Sequence, residues 1–96
     1  MKIYISGAIT NDPDYLAKFD RVEKHLTALN FEVVNPTKLQ HDHNKSYKNY
    51  MKEDIRELLN CDAIFMIYGW DKSAGAKLEK KVADACGLEA IYGGEI

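Results

Sequence analysis

The first third of the chain alternates a short apolar run, a stretch with helical spacing and another apolar run. The run KIYIS at residues 2 to 6 is rich in β-branched and aromatic residues and ends at a glycine, which is typical of a buried strand. After a polar loop, apolar residues recur every three or four positions and predict a helix over about residues 14 to 29, with Asp12 or Asp14 as its N-cap. The following FEVVNP predicts a second strand that ends at Pro36.

The rest of the chain repeats this alternation twice. The polar, aperiodic segment TKLQHDHNKSYKN predicts a surface loop. From Ser46 or Tyr47 onward, helical spacing predicts a second helix, and the continuous apolar run AIFMIY at residues 63 to 68 predicts a third strand. Ser73 is placed to cap a third helix that ends at Gly87, and the LEAIY that follows predicts a last strand.

The predicted order of elements is β-α-β-α-β-α-β. This alternation is typical of a small doubly wound α/β fold, Rossmann-like or flavodoxin-like, with a parallel sheet of four to five strands and helices on both faces. The 96 residues are expected to form one domain, residues 1–96. Ligands of such folds bind beyond the carboxyl ends of the strands, near the topological switch point, so the segments that follow the strands are the candidates for function.

Two acidic residues interrupt the apolar faces of the predicted second and third helices. At about 100° per residue, Glu79 lies about 60° from Val82, and Asp54 lies about 40° from Leu58. An unpaired buried charge costs several kcal/mol, so each carboxylate needs a hydrogen-bonding partner or a polar cleft. One interpretation is structural, with each carboxylate bound to a loop, a tyrosine or backbone amides. The other is a site with paired carboxylates, which suits cleavage of a glycosidic bond.

Composition and charge favour a small-molecule ligand over nucleic acid or a membrane. The chain is 46% hydrophobic and 29% charged, its formal net charge is −2, and no basic run stands out. No stretch has the length of a membrane span, and the N-terminal MKIYISGAIT lacks the length and cleavage pattern of a signal peptide. We therefore expect a cytoplasmic protein whose partner is a small molecule.

Residue types that bind metals form only weak patterns in this chain. Cys61 and Cys86 lack CxxC spacing and lie in apolar contexts, so both are predicted to be buried thiols. His41 and His43 alternate on the predicted loop without a third ligand, and they are interpreted as solvated side chains. Neither a metal nor a cofactor is expected.

Several motifs together resemble the nucleoside 2-deoxyribosyltransferase superfamily. They are KIYISGAIT, VVNP, the spacing of acidic residues in EDIRELLNCDAIFMI, and SAGAKLE followed by an alanine-rich helix and GL. The resemblance spans about residues 2 to 92 and is strongest to short members, often phage-encoded, that have no assigned function. Characterised members of the superfamily exchange bases on 2-deoxyribosides or hydrolyse the N-glycosidic bond of (deoxy)nucleoside 5′-monophosphates.

The resemblance implies catalytic roles for three residues. Glu79 falls on the family's catalytic glutamate and would attack C1′ of the sugar. Asp54, eight residues before Asp62, falls on the family's aspartate and would assist departure of the base. Tyr4 falls on the first-strand tyrosine that holds the nucleophile.

The predicted substrate-binding residues follow the strands or begin the third helix. The amides of the first loop and the helix N-terminus could hold a 5′-phosphate, and Ser73 could cap the helix at the same time. Trp70, with Tyr68, could stack on a nucleobase, although a place in the core or in a dimer interface explains it equally well. The predicted set is Ser6, Gly7, Ala8, Ile9, Asn35, Gly69, Trp70, Ser73 and Gly75.

The first loop departs from the nucleotide hydrolases that the chain resembles. Ala8 and Thr10 stand where those enzymes carry a serine and an arginine, which leaves Lys45, Lys48 or Lys72 to hold a phosphate. Hydrolysis of a 5′-monophosphate is the first expectation, base transfer is the second, and a phage-type protein that sequesters a nucleotide without turnover is the third. The resemblance also implies a homodimer or a higher homo-oligomer.

Overall fold

The computed structural model describes residues 1–39 and 46–94, in which strands and α-helices alternate along the chain. The strands are β1 (Lys2–Ser6), β2 (Glu32–Val34), β3 (Ala63–Met66) and β4 (Glu89–Tyr92). The helices are α1 (Tyr15–Ala28), α2 (Tyr47–Leu59) and α3 (Ala74–Ala85). Short 3-10 turns at Pro36–Lys38 and Trp70–Lys72 follow β2 and β3.

The four strands form one parallel sheet in the order β2-β1-β3-β4. The chain first moves from β1 outward to β2 and later returns to the other side of β1 to build β3 and β4. The switch point therefore lies between β1 and β3, and a crevice opens at their carboxyl ends. This topology confirms the predicted doubly wound parallel sheet, with four strands.

Apolar side chains from both faces of the sheet form two core clusters. On one face, β1 and β3 pack against α1, through Ile3, Ile5, Phe19, Val22, Leu26, Ala63, Phe65 and Ile67. On the other face, alternate residues of the same strands pack against α2 and α3, through Tyr4, Leu58, Cys61, Ile64, Met66, Ala76 and Ala83. Strands β1 and β3 are buried on both faces, which explains their continuous apolar sequences.

The structure differs from the sequence predictions at two points near the ends of elements. Strand β3 ends at Met66 and not at residue 68, because the chain turns at Gly69, whose φ of 91° is in the left-handed region that favours glycine. Cys61 is buried as predicted, but the prediction for Cys86 is wrong, since this thiol is exposed. Cys86 is the C-cap of α3, where the chain leaves the helix and its packed face.

Two sequence-based expectations concern membranes and metals. No helix in residues 1–39 and 46–94 is long and apolar enough to cross a bilayer. The histidines at positions 41 and 43 lie outside the described residues. Within those residues, no three histidine, cysteine, aspartate or glutamate side chains are grouped as a metal site would require.

Candidate active site

Glu79 is a buried carboxylate on the face of α3 that packs against the sheet. Its helix begins at Ser73, whose hydroxyl accepts a hydrogen bond from the Ala76 amide at 3.1 Å. Ala76 and Ala83 lie on the same face, three residues before and four residues after Glu79, and both are buried. These small side chains let the helix approach the strands closely, and Glu79 is left only 6% exposed.

Two hydroxyl groups from β1 bind the two oxygens of this carboxylate. Tyr4 Oη donates to Glu79 Oε2 at 2.5 Å, and Ser6 Oγ donates to Glu79 Oε1 at 2.7 Å. Tyr4 and Ser6 are two residues apart on a strand, so they face the same side of the sheet. Both donors are buried, and together they fix the position and the rotation of the carboxylate.

Burial and hydrogen bonding act in opposite directions on the acidity of Glu79. Desolvation and, to a smaller extent, the charge of Asp54 raise the pKa of Glu79, whereas the hydroxyls of Tyr4 and Ser6 lower it, and the net result is a pKa of about 7. The pKa of Tyr4 is raised by burial and by the two carboxylates, so its hydroxyl stays protonated and remains a donor. Glu79 therefore changes charge near neutral pH while its donors do not.

A cavity of about 680 Å³ opens above Glu79, and its size is typical of small-molecule sites. The loop after β1, the turn after β2, one face of α2 and the first turns of α3 form its walls. The predicted site residues that line it are Gly7, Ala8, Ile9, Asp54, Ser73, Gly75 and Glu79. The two carboxylates identified from helical spacing, on α2 and α3, thus share one cavity.

Ser6 and Asn35, both predicted to bind substrate, are instead occupied by the protein. Ser6 is 1% exposed and bound to Glu79. The Asn35 side chain accepts hydrogen bonds from the backbone amide and the hydroxyl of Thr37 and donates to Glu23 at 3.0 Å. Asn35 thereby holds the turn that follows β2 and places Pro36 and Thr37 in the cavity wall.

Gly69 and Trp70 lie beside the main cavity rather than in its lining. They line a neighbouring cavity of about 370 Å³ at the carboxyl ends of β3 and β4. Lys72, two residues further on, lines both cavities. Of the three lysines considered for a phosphate, Lys72 is thus placed in the main site, whereas Lys48 is not among the lining side chains and Lys45 lies outside the described residues.

Sequence reasoning missed an aromatic wall on α2. Tyr47, Tyr50 and Met51 line the cavity together with Asp54, at helical positions i, i+3, i+4 and i+7. The same periodicity that identified Asp54 could have identified this stripe. Tyr15, which opens α1, adds a further ring to the lining.

Gly75 lets α2 and α3 approach each other at the mouth of the site. A Cβ atom at this position would lie 3.1 Å from Tyr47 Oη and 3.5 Å from Met51 Sδ. The absence of a side chain thus allows the Tyr47 ring to lie over the first turn of α3. The glycine in the SAGAKLE motif therefore shapes the cavity as well as the helix.

Solved structures of two 2-deoxyribosyltransferases share this fold. The enzyme of Bacillus psychrosaccharolyticus superposes with a TM-score of 0.76 at 23% identity, over 100% of this chain and 76% of the enzyme. That of Leishmania mexicana gives a TM-score of 0.74 at 22% identity, over 97% of this chain and 63% of the enzyme. The resemblance inferred from the motifs is confirmed at the level of the fold.

Sequence comparisons give a complementary result. No curated protein shows a significant match to the chain. The model of one protein family, described as a domain of unknown function (DUF4406), matches residues 1–92. Because this match covers nearly all of the sequence, the chain belongs to the DUF4406 family.

Proposed function

We propose that the protein hydrolyses the N-glycosidic bond of (deoxy)nucleoside 5′-monophosphates, with Glu79 as the nucleophile. The observation that carries the proposal is a buried carboxylate held at both oxygens by Tyr4 and Ser6, in a cavity that a second carboxylate, Asp54, also lines. A paired-carboxylate site of this kind suits substitution at an anomeric carbon. The common fold with 2-deoxyribosyltransferases supports the choice of an N-glycosidic bond.

The first step transfers the sugar to Glu79. An oxygen of the ionised carboxylate forms a bond to C1′ while the bond from C1′ to the base nitrogen breaks, and the base leaves with the electron pair. Asp54 donates a proton to the departing base or orders the group that does so. The hydrogen bonds from Tyr4 and Ser6 use one lone pair on each oxygen of Glu79, so further lone pairs remain for C1′.

The second step releases the sugar to water. A water oxygen attacks C1′, the ester bond to Glu79 breaks, and the water proton returns to Asp54 or to solvent. The net reaction consumes one water and yields a free base and a 5-phosphorylated sugar. If a second base occupies the position of the water, the same intermediate gives base transfer.

Positive charge at one wall favours a phosphorylated substrate. Lys72 lines the cavity next to Ser73, at the N-terminus of the 12-residue helix α3. The positive end of a helix dipole and a nearby ammonium group both attract an anion. Lys72 thus replaces, in function, the arginine that the first loop lacks.

Base transfer is the second candidate, because the two solved structures compared above are 2-deoxyribosyltransferases. Free-base release separates the two reactions. A panel of ribo- and deoxyribonucleosides and their 5′-monophosphates is incubated with the protein, with and without an added base, and products are separated by chromatography. Release from a monophosphate without added base supports hydrolysis, whereas exchange that requires the added base supports transfer.

The role of Glu79 is tested with Glu79→Gln and Glu79→Ala in the same assay. We expect both variants to lose base release by at least a thousandfold while remaining folded, because the covalent step loses its proposed nucleophile. Full activity in either variant contradicts the proposed mechanism. Saturable binding of a nucleotide by the wild type with no release of base, even after long incubation, indicates the sequestering function instead.

A further inference from the structure

The smaller cavity, beyond the carboxyl ends of β3 and β4, is surrounded by aromatic side chains that the proposed reaction does not use. Its lining includes Tyr68, Trp70 and Tyr92. Tyr68 is 67% exposed and Tyr92 is 59% exposed, so their rings are open to a ligand. Clustered exposed aromatic side chains around a cavity are typical of a binding surface.

Two rings of this cavity, those of Trp70 and Tyr92, contact each other and neighbouring side chains. The centroids of Trp70 and Tyr92 are 6.2 Å apart with an angle of 39° between the ring planes, and Trp70 packs partly buried against the α2 and α3 face of the core. Lys80 Nζ lies 6.0 Å from the centroid of Tyr92. Asp84 in turn binds Lys80 Nζ at 2.6 Å and 2.7 Å. An exposed ring that is already ordered loses little entropy when another ring stacks on it.

The two cavities meet at a cationic side chain. Lys72 lines both of them, and it follows the Trp70 side chain by only two residues. The main cavity is lined by the segments that follow β1 and β2, and the smaller one by those that follow β3 and β4, so their centres are separated by about two strand spacings, or roughly 10 Å. A short anionic bridge between two nucleosides is chemically suited to this arrangement.

We infer that the nucleoside 5′-monophosphate unit that the site binds is part of a dinucleotide, two nucleosides joined through their 5′-phosphates, whose second base stacks on Trp70 and Tyr92. The inference rests on the proposed function for the first nucleoside, which places C1′ at Glu79 and breaks that glycosidic bond. The bridging phosphates lie against Lys72. The second nucleoside remains attached to the phosphorylated sugar and is released with it.

The inference is tested by binding, with a variant that does not turn over. Glu79→Gln protein is titrated calorimetrically with symmetric 5′,5′-dinucleoside diphosphates of adenosine, guanosine, cytidine and thymidine and with the matching 5′-monophosphates. We expect at least one dinucleotide to bind about tenfold more tightly than its monophosphate, which is the gain that stacking of one additional base on an aromatic side chain provides.

Two further substitutions test whether Tyr92 provides the tenfold gain in affinity for the dinucleotide. In the Glu79→Gln background, Tyr92→Ser is expected to remove the tenfold difference and to leave the affinity for the monophosphate unchanged. Leu16→Ser is the matched control, because Leu16 is 58% exposed on α1 and lines neither cavity. This control should change neither affinity.

Equal affinity for the two ligand types overturns the inference, as does the absence of binding by every dinucleotide. If Tyr92→Ser changes the oligomeric mass in sedimentation and leaves the affinity ratio intact, the aromatic side chains form an interface between copies and the inference is wrong. Failure of the proposed function is a separate result. In that case the wild type releases no base from either ligand type, whatever the affinity ratio in Glu79→Gln.

Discussion

At the scale of single residues, Ser6 and Tyr4 control when Glu79 is ionised. Burial alone favours the protonated acid, and the two donated hydrogen bonds favour the carboxylate. With a pKa of about 7, Glu79 is divided between the two forms at neutral pH. The rate of the proposed reaction should therefore fall as the pH decreases through this value, because only the carboxylate can attack C1′.

Ser6→Ala tests this balance. Loss of one hydrogen bond to a charged group should move the acid limb of kcat/KM to higher pH by about one pH unit. The limb is measured from pH profiles, and the ionisation of Glu79 is followed independently by carbon NMR of the labelled carboxyl group. Ser6→Thr keeps the hydroxyl and should restore the profile. If the acid limb and the NMR titration are unchanged in Ser6→Ala, the serine only fills space.

Glu79→Gln tests the cost of burying the charge. Because the folded-state pKa of about 7 is above the ordinary 4.5, the folded protein holds the proton more tightly than the unfolded chain does. The contribution of Glu79 to the free energy of unfolding is thus most favourable below pH 4.5, becomes less favourable as the pH rises toward 7, and carries the full cost of the buried charge above 7. Glutamine does not ionise, so its stabilising effect should grow with pH to on the order of 3 kcal/mol. Urea unfolding at pH 5 and pH 8 measures it, and a pH-independent difference contradicts the raised pKa.

At the scale of elements, the contact between α2 and α3 depends on Gly75. Gly75→Ala adds a methyl group 3.1 Å from Tyr47 Oη. The Tyr47 ring is exposed and can move, so the higher helix propensity of alanine, up to about 1 kcal/mol, should keep Tm from falling. We expect KM to rise several-fold because the ring no longer lies where it lines the cavity. Thermal unfolding and steady-state kinetics separate the two effects.

The double variant Gly75→Ala, Tyr47→Phe is the control for this prediction. Removal of Oη takes away the atom closest to the added methyl group, so KM should return toward the value of Tyr47→Phe alone. An additive effect of the two substitutions would show that Gly75 acts on the helix and not through Tyr47.

Sequence patterns predicted the elements better than they predicted the site. Apolar spacing located every strand and α-helix of the described residues, though not the two short 3-10 turns, because each strand and α-helix buries one face or two. The same spacing does not distinguish a polar side chain that binds another group of the protein from one that faces a ligand. A position at the end of a strand predicts a contact with substrate for Ser6 and Asn35, but in the structure they bind Glu79 and Glu23, which belong to helices that the local sequence around each strand does not indicate.

At the scale of the whole molecule, the helices on one face of the sheet contribute the two carboxylates of the candidate site, whereas the helix on the other face contributes mainly to the core. Helix α1 covers one face of the sheet. Helices α2 and α3, which carry Asp54 and Glu79, cover the other face. Leu26→Ala and Leu58→Ala form a matched pair, one buried on each face, and each should lower the free energy of unfolding by about 2 to 5 kcal/mol. Urea titrations give these values.

The same pair should differ in activity. Leu58 is the buried residue of α2, the helix that carries Asp54, so Leu58→Ala should reduce kcat per folded molecule, while Leu26→Ala should leave it near the wild-type value. Activity is measured well below each variant's transition and corrected for the folded fraction. An equal loss of kcat in the two variants would contradict this difference between the two faces of the sheet.

The hydrogen bond between Tyr4 and Glu79 joins residues 75 positions apart, from the first strand to the last helix. Until that contact closes, Glu79 is an ordinary solvated glutamate, ionised at neutral pH and without a defined orientation. A chain in which α3 has not packed against β1 therefore cannot carry out the proposed attack on a nucleotide. The proposed nucleophile is thus formed only when α3 packs against β1, and its reactivity would report that this one contact has been made.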